Sequence, residues 1–392
     1  MQIQSTRAIV AAIGAMTAAW LLTVTVAGQA APAGQAAVSA DRSQMSDQVF
    51  TNVQVLKGIP VDQFMQTMGF FSASLGMNCT DCHVDESSGS WARYADDNAL
   101  KRTTRRMMLM VNTINKTNFG GRQVVTCTTC HRGDTRPRVM PSLDLLYSTP
   151  PPDEPGDPIL QAPGQPPADQ ILDKYLQAVG GLQQLAALTS IVAQGNYLGF
   201  DDADRTAIEV FATAQGQRTT VVHTLSGDNT TVVTPTNAWV AAPAIDKPVP
   251  LFTLTGSDLE GMKLQAQVFF PARIKQALTN WRVGYPATID DRDVTIVQGT
   301  MPGGGTATFC FDAQTGLLAR LVYWGDSPVG RVVQRVDYSD YRDVAGVKLP
   351  FKWTATWLDG RSRFELTDAQ ANLAIPATRF ARPAPSTPLR AQ

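Results

Sequence analysis

The stretches Cys79-Thr80-Asp81-Cys82-His83 and Cys127-Thr128-Thr129-Cys130-His131 repeat one pattern, two cysteines separated by two residues and followed directly by a histidine. This spacing is typical of covalent c-type haem attachment. The two thiols form thioethers to one edge of a porphyrin, and the adjoining histidine is held against the iron as an axial ligand. The chain has three histidines, and two of them occupy these positions. The sequence therefore predicts two c-type haems, with attachment and ligand residues Cys79, Cys82, His83, Cys127, Cys130 and His131.

Paired cysteines also occur in zinc ribbons, thioredoxin-like sites and disulfides. In a zinc ribbon the pairs lie roughly 15–20 residues apart, whereas 44 residues separate Cys82 from Cys127. A thioredoxin-like pair follows a strand, whereas helical patterns precede both pairs here. Two structural disulfides stay open as an alternative, although they do not explain a histidine after each pair. The fifth cysteine, Cys310, lies between Phe309 and Phe311 in an expected strand, which favours a buried thiol over an intermolecular disulfide.

A helix is predicted ahead of each motif. The first covers Asp62 to Leu75 and the second Asn98 to Asn115, where Gly120-Gly121 ends it. Each helix carries methionine and is followed by a short turn and the cysteine motif, so one helix and one haem form a repeated unit. Helical spacing places apolar residues on one side of each helix, namely Phe64, Met68, Phe71 and Leu75 in the first and Leu100, Met107, Met110, Val111 and Ile114 in the second.

The sixth iron ligands are constrained by the histidine count. The remaining histidine, His223, lies in the β-rich half and is interpreted as a strand or loop residue without a ligand role. At least one iron, and by inference both, therefore takes methionine or keeps an open position. A methionine on an apolar helix face is usually only core packing, so the residues alone leave the choice open. The candidates are Met65, Met68 and Met77 for the first haem and Met107, Met108 and Met110 for the second.

Residues 50 to 135 resemble the cytochrome subunit of photosynthetic reaction centres. In that family the sixth ligand comes from the helix before each motif, so the resemblance implies Met68 for the first haem and Met107 for the second. It also implies haems that pass electrons in series, and redox partners such as a membrane reaction centre or respiratory complex and a soluble electron carrier. The matching stretches are Asn52–Leu56, Phe64–Met68, Cys79–His83, Arg105–Met107, Ile114-Asn115 and Val125–Gly133.

The chain departs from this family in its number of motifs, two where the well-known members have four, and in a β-rich half that follows the cytochrome stretch. It also lacks the histidine those members carry before the second motif, since Phe119 to Val125 contains none, and it lacks a lipid-anchor cysteine. Arginine suits bidentate binding of carboxylates. Arg105, Arg106 and Arg132 are therefore candidates for pairing with haem propionates, although a solvated helix face and loop is the favoured interpretation of these residues.

The second half of the chain alternates short runs rich in Val, Thr, Tyr and Phe with turn residues, which predicts strands. A helix is expected from Asp169 to Gly181. We expect a curved antiparallel sheet with one or two helices, similar to the half-barrel of lipoprotein-localisation proteins. The concave face of such folds can hold an acyl chain, so a hydrophobic ligand is an alternative role for this half. The resemblance is carried by Phe311–Leu318, Tyr338–Tyr341 and Val347–Pro350.

These patterns predict a multidomain protein, an N-terminal α-helical multihaem cytochrome c domain followed by a C-terminal α+β domain with a curved antiparallel sheet. The segment between the two halves is rich in proline, and proline-rich segments form extended, semi-stiff linkers. The expected divisions are a signal peptide or uncleaved anchor at 1–30, a flexible spacer at 31–45, a diheme cytochrome domain at 46–147, a proline-rich linker at 148–168, a β-rich half-barrel-like domain at 169–380 and a tail at 381–392.

The N-terminus reads as an export signal, because Arg7 precedes an uncharged apolar run from Ala8 to Ala27 and small residues follow. We therefore expect a periplasmic or otherwise extracytoplasmic protein, anchored if the signal stays uncleaved. A formal net charge of −1 argues against a nucleic-acid partner. The predicted function is electron transfer rather than catalysis. The alternatives are a haem enzyme such as a diheme peroxidase, and a hydrophobic-ligand or lipoprotein-binding module with accessory haems.

Overall fold

The computed structural model describes residues 43–137, 139–140, 159–199, 205–243 and 249–385. The expected export signal, most of the spacer, residues 148–158 of the proline-rich linker and residues 386–392 of the tail lie outside the described residues. The described part belongs to one compact unit, Ser43–Gln392. Within it, no helix combines the length and the apolar character needed to cross a membrane.

The first part of the described chain is helical. Gly76 ends the helix ahead of the first motif with φ 62°, and Gly120 and Gly121 follow the helix ahead of the second with φ 61° and 84°, a left-handed backbone that glycine adopts without strain. Two 3₁₀ turns, Asp85–Gly89 and Trp91–Ala95, join the two repeats. The helices are α1 (Ser46–Val49), α2 (Val61–Leu75), α3 (Cys79–Cys82), α4 (Ala99–Asn118) and α5 (Cys127–His131).

The second part is a sheet of 14 strands in the described residues, all paired antiparallel, in the order β6-β5-β4-β3-β2-β1-β14-β13-β12-β11-β10-β9-β7 with β8 beside β9. The strands are β1 (Ser190–Leu198), β2 (Arg205–Thr213), β3 (Gln217–Thr224), β4 (Gly227–Val233), β5 (Ala238–Ala241), β6 (Leu251–Leu254), β7 (Thr279–Val283), β8 (Ala287–Ile289), β9 (Arg292–Thr300), β10 (Thr306–Asp312), β11 (Leu318–Ser327), β12 (Gly330–Val344), β13 (Val347–Trp357) and β14 (Gly360–Ala371).

Helices α6 (Ala168–Ala178), α7 (Gly181–Ala187), α8 (Gly256–Gln267) and α9 (Ile274–Ala277) belong to the sheet half. Their apolar side chains and those of the strands form one buried cluster, in which Leu172, Tyr175, Phe269 and Phe309 are at most 1% exposed. The fold class predicted from the sequence, a helical cytochrome region followed by an α+β region with a curved antiparallel sheet, is confirmed. Burial of this continuous apolar cluster is the main favourable contribution to folding of this half.

The expected helix from Asp169 to Gly181 was wrong at its end, and three helices, α7, α8 and α9, were not located from the sequence. Helix α6 ends at Ala178, and Gly180 at φ 129° turns the chain into α7. Helix α8 was missed because it has no apolar stripe, since its buried residues include Asp258 and Gln265. A helix that buries polar side chains lacks the periodicity from which helices are recognised.

The helical region packs on the tip of the hairpin formed by β11 and β12. Val329 and Val332 from this hairpin are buried in one apolar cluster with residues of the helical region. Polar contacts continue the interface, since the Gln123 side chain donates to the Ser327 carbonyl at 2.8 Å. The hairpin therefore completes the core of the region that carries both cysteine motifs. The helical partners of the two valines are Leu56, Phe70, Phe71 and Met108.

Candidate haem-binding sites

The first motif folds as a single helical turn because the residues around it cap one another. The Asn78 side chain accepts from the Asp81 amide at 3.1 Å, and the Asp81 carboxylate accepts from the Asn78 amide at 2.8 Å. This reciprocal arrangement is a capping box, which satisfies amides at a helix N-terminus. Residues three apart in a helix lie on one side of it, so the turn directs Cys79 and Cys82 the same way.

The second motif uses the same device with different residues. The Thr126 amide donates to the Thr129 hydroxyl at 3.0 Å, and α5 follows. The left-handed Arg132, with φ 54°, ends this helix. All four motif cysteines are free thiols, with Cys79 and Cys130 exposed and the other two partly buried. Each cysteine pair is therefore presented by its own helical turn, with a histidine at the end of that turn.

The two histidines are oriented by backbone carbonyls. His83 Nδ1 lies 3.0 Å from the Tyr94 carbonyl oxygen, and His131 Nδ1 lies 3.0 Å from the Asp134 carbonyl oxygen. A carbonyl oxygen can only accept, so each Nδ1 carries a proton, and in the neutral imidazole this leaves the lone pair on Nε2. A hydrogen bond from Nδ1 to a backbone carbonyl is common for metal-binding histidines, because it sets both the tautomer and the direction of the ring.

The surroundings of His83 favour its neutral form. Burial, followed by the charge of Lys101, lowers the pKa of His83, and its ring packs against Tyr94 with centroids 4.5 Å apart. The Lys101 ammonium also donates to the Tyr94 carbonyl, at 2.8 Å. One carbonyl therefore accepts from both the histidine and the lysine. Burial raises the pKa of the Cys82 and Cys127 thiols, so both side chains are protonated thiols in this structure.

Asn98 connects the first motif to the second helix. Its side-chain oxygen caps α4 by accepting from the Lys101 amide at 2.9 Å, and its amide nitrogen donates to the Cys82 carbonyl at 2.8 Å. The sequence pattern predicts a helix beginning near this residue but indicates no role for Asn98 at the site. An asparagine at a helix start is the sequence signal for the cap. The bond from Asn98 to the Cys82 carbonyl depends on tertiary structure and has no such signal.

Asn115 positions the loop before the second motif. It is 5% exposed, its side-chain oxygen accepts from the Val124 and Val125 amides at 3.2 and 2.9 Å, and its nitrogen donates to the Val125 carbonyl at 2.7 Å. An asparagine among the apolar residues of a helix face is the sequence signal for this role, because a buried side-chain amide requires hydrogen-bond partners.

Helix α2 also contacts the second motif. The Ser74 and Thr128 hydroxyls lie 2.7 Å apart, and the Gly133 amide donates to the Ser74 carbonyl at 2.9 Å. Gly76 is required at the end of α2, because a Cβ at this position would clash with the Gly133 carbonyl. The helix expected to serve the first haem therefore ends against the attachment turn of the second.

The candidate methionines lie in different environments. Met68 is partly buried and packs against the apolar cluster at the hairpin tip, while the Met77 sulfur lies 3.7 Å from the Cys82 sulfur. On α4, Met108 is buried, whereas Met107 and Met110 are 37% and 45% exposed.

The apolar side expected on α4 is present, and only part of it is covered. Leu100, Met107, Val111 and Ile114 are three, four or seven residues apart, so they lie along one side of the helix. Val111 is buried on this side, while Leu100 and Met107 are 47% and 37% exposed. The adjoining Met108 packs toward the hairpin. The exposed part is therefore apolar surface that packing of the described residues leaves uncovered.

The candidate arginines for the propionates differ in their present contacts. Arg105 pairs with Asp97 at 2.6 Å. Arg106 is exposed and donates to the Thr103 hydroxyl at 3.1 Å, and Arg132 is exposed at the end of α5. Arg106 and Arg132 therefore have guanidinium groups available to a carboxylate, while Arg105 already has one, and the propionate role of all three stays a prediction.

The remaining histidine and cysteine lie in the sheet half. His223 Nδ1 lies 2.8 Å from an Asp228 carboxylate oxygen on the neighbouring strand. Cys310 is 3% exposed in β10, where burial raises the pKa of its thiol to about 12. In the described residues, no three His, Cys, Asp or Glu side chains come together as a metal-binding group. The two cysteine pairs therefore do not meet as they would in a zinc ribbon.

The residues at both motifs fit covalently attached haem. Each motif offers two free thiols from one helical turn and an imidazole whose Nε2 lone pair is unused. The α4 face with Leu100 and Met107 presents apolar surface and a thioether beside these groups, which suits a largely apolar macrocycle. When attached, haem would be held by Cys79, Cys82 and His83 in the first site and by Cys127, Cys130 and His131 in the second.

Solved structures include proteins that align with about half of this chain and are similar to it in fold. The DUF1329 family protein from Desulfovibrio piger is 10% identical with a TM-score of 0.38, and covers 55% of this chain and 98% of that protein. The LolA superfamily protein from Nitrosomonas europaea is 14% identical with a TM-score of 0.38, at the same coverage of 55% and 98%.

The helical region matches a family model. The model described as the photosynthetic reaction centre cytochrome C subunit matches residues 11–144. The photosynthetic reaction center cytochrome c subunit of Thermochromatium tepidum is 37% identical over 97 residues, which are 24% of this chain and 23% of that protein. The chain thus spans about a quarter of the length of this relative. The resemblance inferred from the motifs is confirmed: residues 11–144 are similar in sequence to the cytochrome subunit of photosynthetic reaction centres.

Proposed function

We propose that this chain is an exported diheme c-type cytochrome that transfers electrons. The observation that carries the proposal is the repetition of one arrangement at both motifs. A capped helical turn presents two thiols, and a backbone carbonyl holds the following histidine with Nε2 unprotonated. Attached haem iron would gain and lose one electron at each site, and the residues of the chain set the conditions for that exchange.

The ligand set decides between electron transfer and catalysis. We propose Met68 and Met107 as the sixth ligands, as the family resemblance implies. Methionine–histidine ligation favours a high reduction potential and leaves no coordination position for substrate. Met68 packs against the cluster that includes Phe71, which limits its movement, and Met107 lies on the apolar exposed face of α4.

The series arrangement of the two sites is supported by their shared elements. Helix α2 ends against the second attachment turn through Ser74 and Gly133, and α4 begins at the first motif through Asn98. Each attachment turn is therefore held partly by the other repeat. We propose that electrons pass between the haems and then to a protein partner.

The proposed setting is outside the cytoplasm, since covalent attachment retains the cofactor there and the N-terminus reads as an export signal. The matched relative is named as a reaction centre subunit, so a membrane reaction centre is one candidate partner, and a respiratory complex or soluble electron carrier is another. For the sheet half, a hydrophobic ligand finds little support. Its core is filled by Leu172, Tyr175 and Phe269, and a cleft of about 370 Å³ in the described residues is open and has Gln165, Lys174 and Asp312 in its wall.

The test is to produce the full chain in a host that assembles c-type cytochromes and to measure its mass, haem content and optical redox titration. We expect the mass of two covalent haems, two one-electron steps, and little binding of carbon monoxide to the reduced protein. A protein with only its polypeptide mass and no Soret band would overturn the proposal. Strong carbon monoxide binding with peroxidase activity would replace electron transfer with the diheme enzyme.

A further inference from the structure

Charge is distributed unevenly between the two repeats of the helical region. Residues 81–97 contain five acidic side chains and one basic, whereas residues 98–136 contain eight basic side chains and one acidic. The first segment includes His83 and the turns after it, and the second includes α4 and the second motif. The two candidate haem sites therefore lie in segments of opposite charge, although the whole chain has a formal net charge of −1.

Most of the basic residues in the second segment have no acidic partner. Lys101 donates to backbone carbonyls and Arg105 pairs with Asp97. The other six side chains are exposed, and none forms an ion pair with any residue that the structure describes. We call these six residues the basic face: Arg102, Arg106, Lys116, Arg122, Arg132 and Arg136.

On α4, Arg102, Arg106 and Lys116 of the basic face form one exposed stripe with Leu109 and Thr113 between them. Positions 102, 106, 109, 113 and 116 are three or four residues apart, so they follow one side of the helix, and all five are exposed. Leu109, in the middle of the stripe, is 55% exposed. The stripe is opposite the buried face of Met108 and Val111, so packing of the helix in the fold leaves it open to a partner.

The rest of the basic face follows α4 in the chain and adjoins the second motif. Arg122 comes before the motif, and its guanidinium donates to the Phe119 carbonyl at the end of the helix at 3.5 Å. Arg132 and Arg136 come after the motif. Val124 is 50% exposed, and Cys130 is exposed beyond it. Basic side chains therefore flank the second attachment turn along the chain, with exposed apolar surface at Val124 beside them.

We propose that the basic face is the docking surface for an electron-carrying protein whose redox centre is surrounded by acidic side chains. Opposite charges steer such encounters and raise association rates by about 10–1,000-fold, and an apolar centre within a charged rim is the usual composition of an interface. One electron passes between the partner's centre and the second haem, so one is oxidised as the other is reduced and no covalent bond changes. This inference rests on the proposed function.

The test uses the full chain with both haems attached and stopped-flow mixing with two protein probes, an acidic plastocyanin-type copper protein and a basic mitochondrial-type cytochrome c. We expect electron exchange with the acidic probe to be faster and to slow as salt is added, because salt screens exposed charges. The triple variant Arg102→Glu, Lys116→Glu and Arg122→Glu should lower that rate at low ionic strength by about tenfold or more. The difference from wild type should shrink at high salt.

The control variant is Arg273→Glu, Arg292→Glu and Lys348→Glu, which changes the net charge equally on exposed residues of the sheet half. An equal loss of rate in both variants, or no loss in the first, would overturn the docking surface. Binding to phosphatidylserine vesicles that is lost in the first variant, with unchanged rates toward the acidic probe, would assign the face to a membrane instead. Haem content is measured beforehand, so absence of haem refutes the proposed function, and unchanged rates with both haems present refute only the docking surface.

Discussion

Helices α2 and α4 play the same part in the two repeats, yet the fold supports them differently. Helix α2 is attached to the sheet half by buried polar contacts, since Asp62 accepts from the Thr255 amide and hydroxyl at 2.6 and 2.8 Å and Gln66 donates to Asp258. Gly69 comes so close to Asp359 that an added Cβ would lie 2.7 Å from its carboxylate.

Helix α4 has fewer such attachments. Met108 reaches the hairpin cluster and Asn115 holds the following loop, while most of its other side chains are exposed. The two repeats are therefore similar in sequence, but their helices differ in how many contacts hold them to the rest of the fold. We expect the first ligand helix to be rigidly placed by the sheet half, and the second to depend on a few contacts.

The largest effect is expected from removing the attachment residues themselves. The double variants Cys79→Ser/Cys82→Ser and Cys127→Ser/Cys130→Ser should each lose one of two covalent haems, because a hydroxyl forms no thioether here. Intact mass and haem absorbance per polypeptide measure this. If the first variant lost both haems and the second only one, the repeats would not be independent in assembly.

The support of α2 should depend on pH through Asp258. Burial, followed by the charge of Asp62, raises the pKa of Asp258 to about 7 from the ordinary 3.8. The stabilisation from the protonated carboxyl is complete below about pH 4 and is lost as pH rises through about 7, a change of a few kcal/mol in the free energy of unfolding. Urea unfolding of Asp258→Asn across this range should show a flatter pH dependence and higher stability at pH 8.

Asp326→Asn, an exposed substitution in β11, provides the matched control and should leave the pH dependence unchanged. Equal slopes for wild type and Asp258→Asn would show that this carboxyl does not control the attachment of α2.

The sixth ligands can be compared by Met68→Ala and Met107→Ala. Each should lower the potential of one haem by on the order of 0.1 V, within the roughly 0.8 V range set by axial ligands, while both haems stay covalently attached. Met68→Ala should also reduce stability by about 1–2 kcal/mol, because this side chain is partly buried. Redox titration of both variants beside Met65→Ala and Met110→Ala checks the assignment, and unchanged potentials in the first pair would contradict it.

Asn115→Ala tests whether α4 holds the loop before the second motif through this one side chain. The substitution leaves the Val124 and Val125 backbone groups without partners, at a cost of about 2–3 kcal/mol. Carbon monoxide binding at the second haem should rise, because the loop before its attachment turn is no longer held. The exposed Asn112→Ala, on the same helix, should behave like wild type, and an identical response of the two variants would remove Asn115 from the site.

The smallest effect is expected at Lys101, which lies beside His83. Among the described residues, no lysine is recorded in the same position beside His131. The charge of Lys101 and its bond to the Tyr94 carbonyl both disfavour the ferric state of the first haem. Lys101→Met should therefore lower that potential by roughly tens of millivolts, whereas Lys101→Arg keeps the charge and should stay near wild type. A shift at the second haem alone would show that the lysine acts elsewhere.

The features predictable from sequence are those determined by neighbouring residues. Both cysteine turns are local, and residues such as Asn78 with Asp81, or Thr126 with Thr129, shape them within a few positions of the chain. The helix before each motif and the strands of the sheet were likewise recognised from short-range periodicity, and the fold class is confirmed.

The contacts that position the site come from distant parts of the chain and could not be predicted in the same way. The Gln66–Asp258 bond spans 192 residues and the Gln123–Ser327 bond spans 204. No pattern near Gln66 indicates which carboxylate it meets, because that choice depends on how α8 and the hairpin come together. For the same reason the sequence could not predict that Val111 is buried while Leu100 and Met107, on the same side of α4, stay exposed.

The tip of the β11–β12 hairpin has a practical consequence for anyone wishing to study the cytochrome region by itself. A polypeptide shortened before the sheet would lack Val329 and Val332, and Phe70, Phe71 and Met108 would then face water. Such a fragment is expected to aggregate unless those positions are redesigned as polar. The helical and sheet-forming parts therefore complete one another's packing, and neither can be transplanted without repairing the surface left by the other.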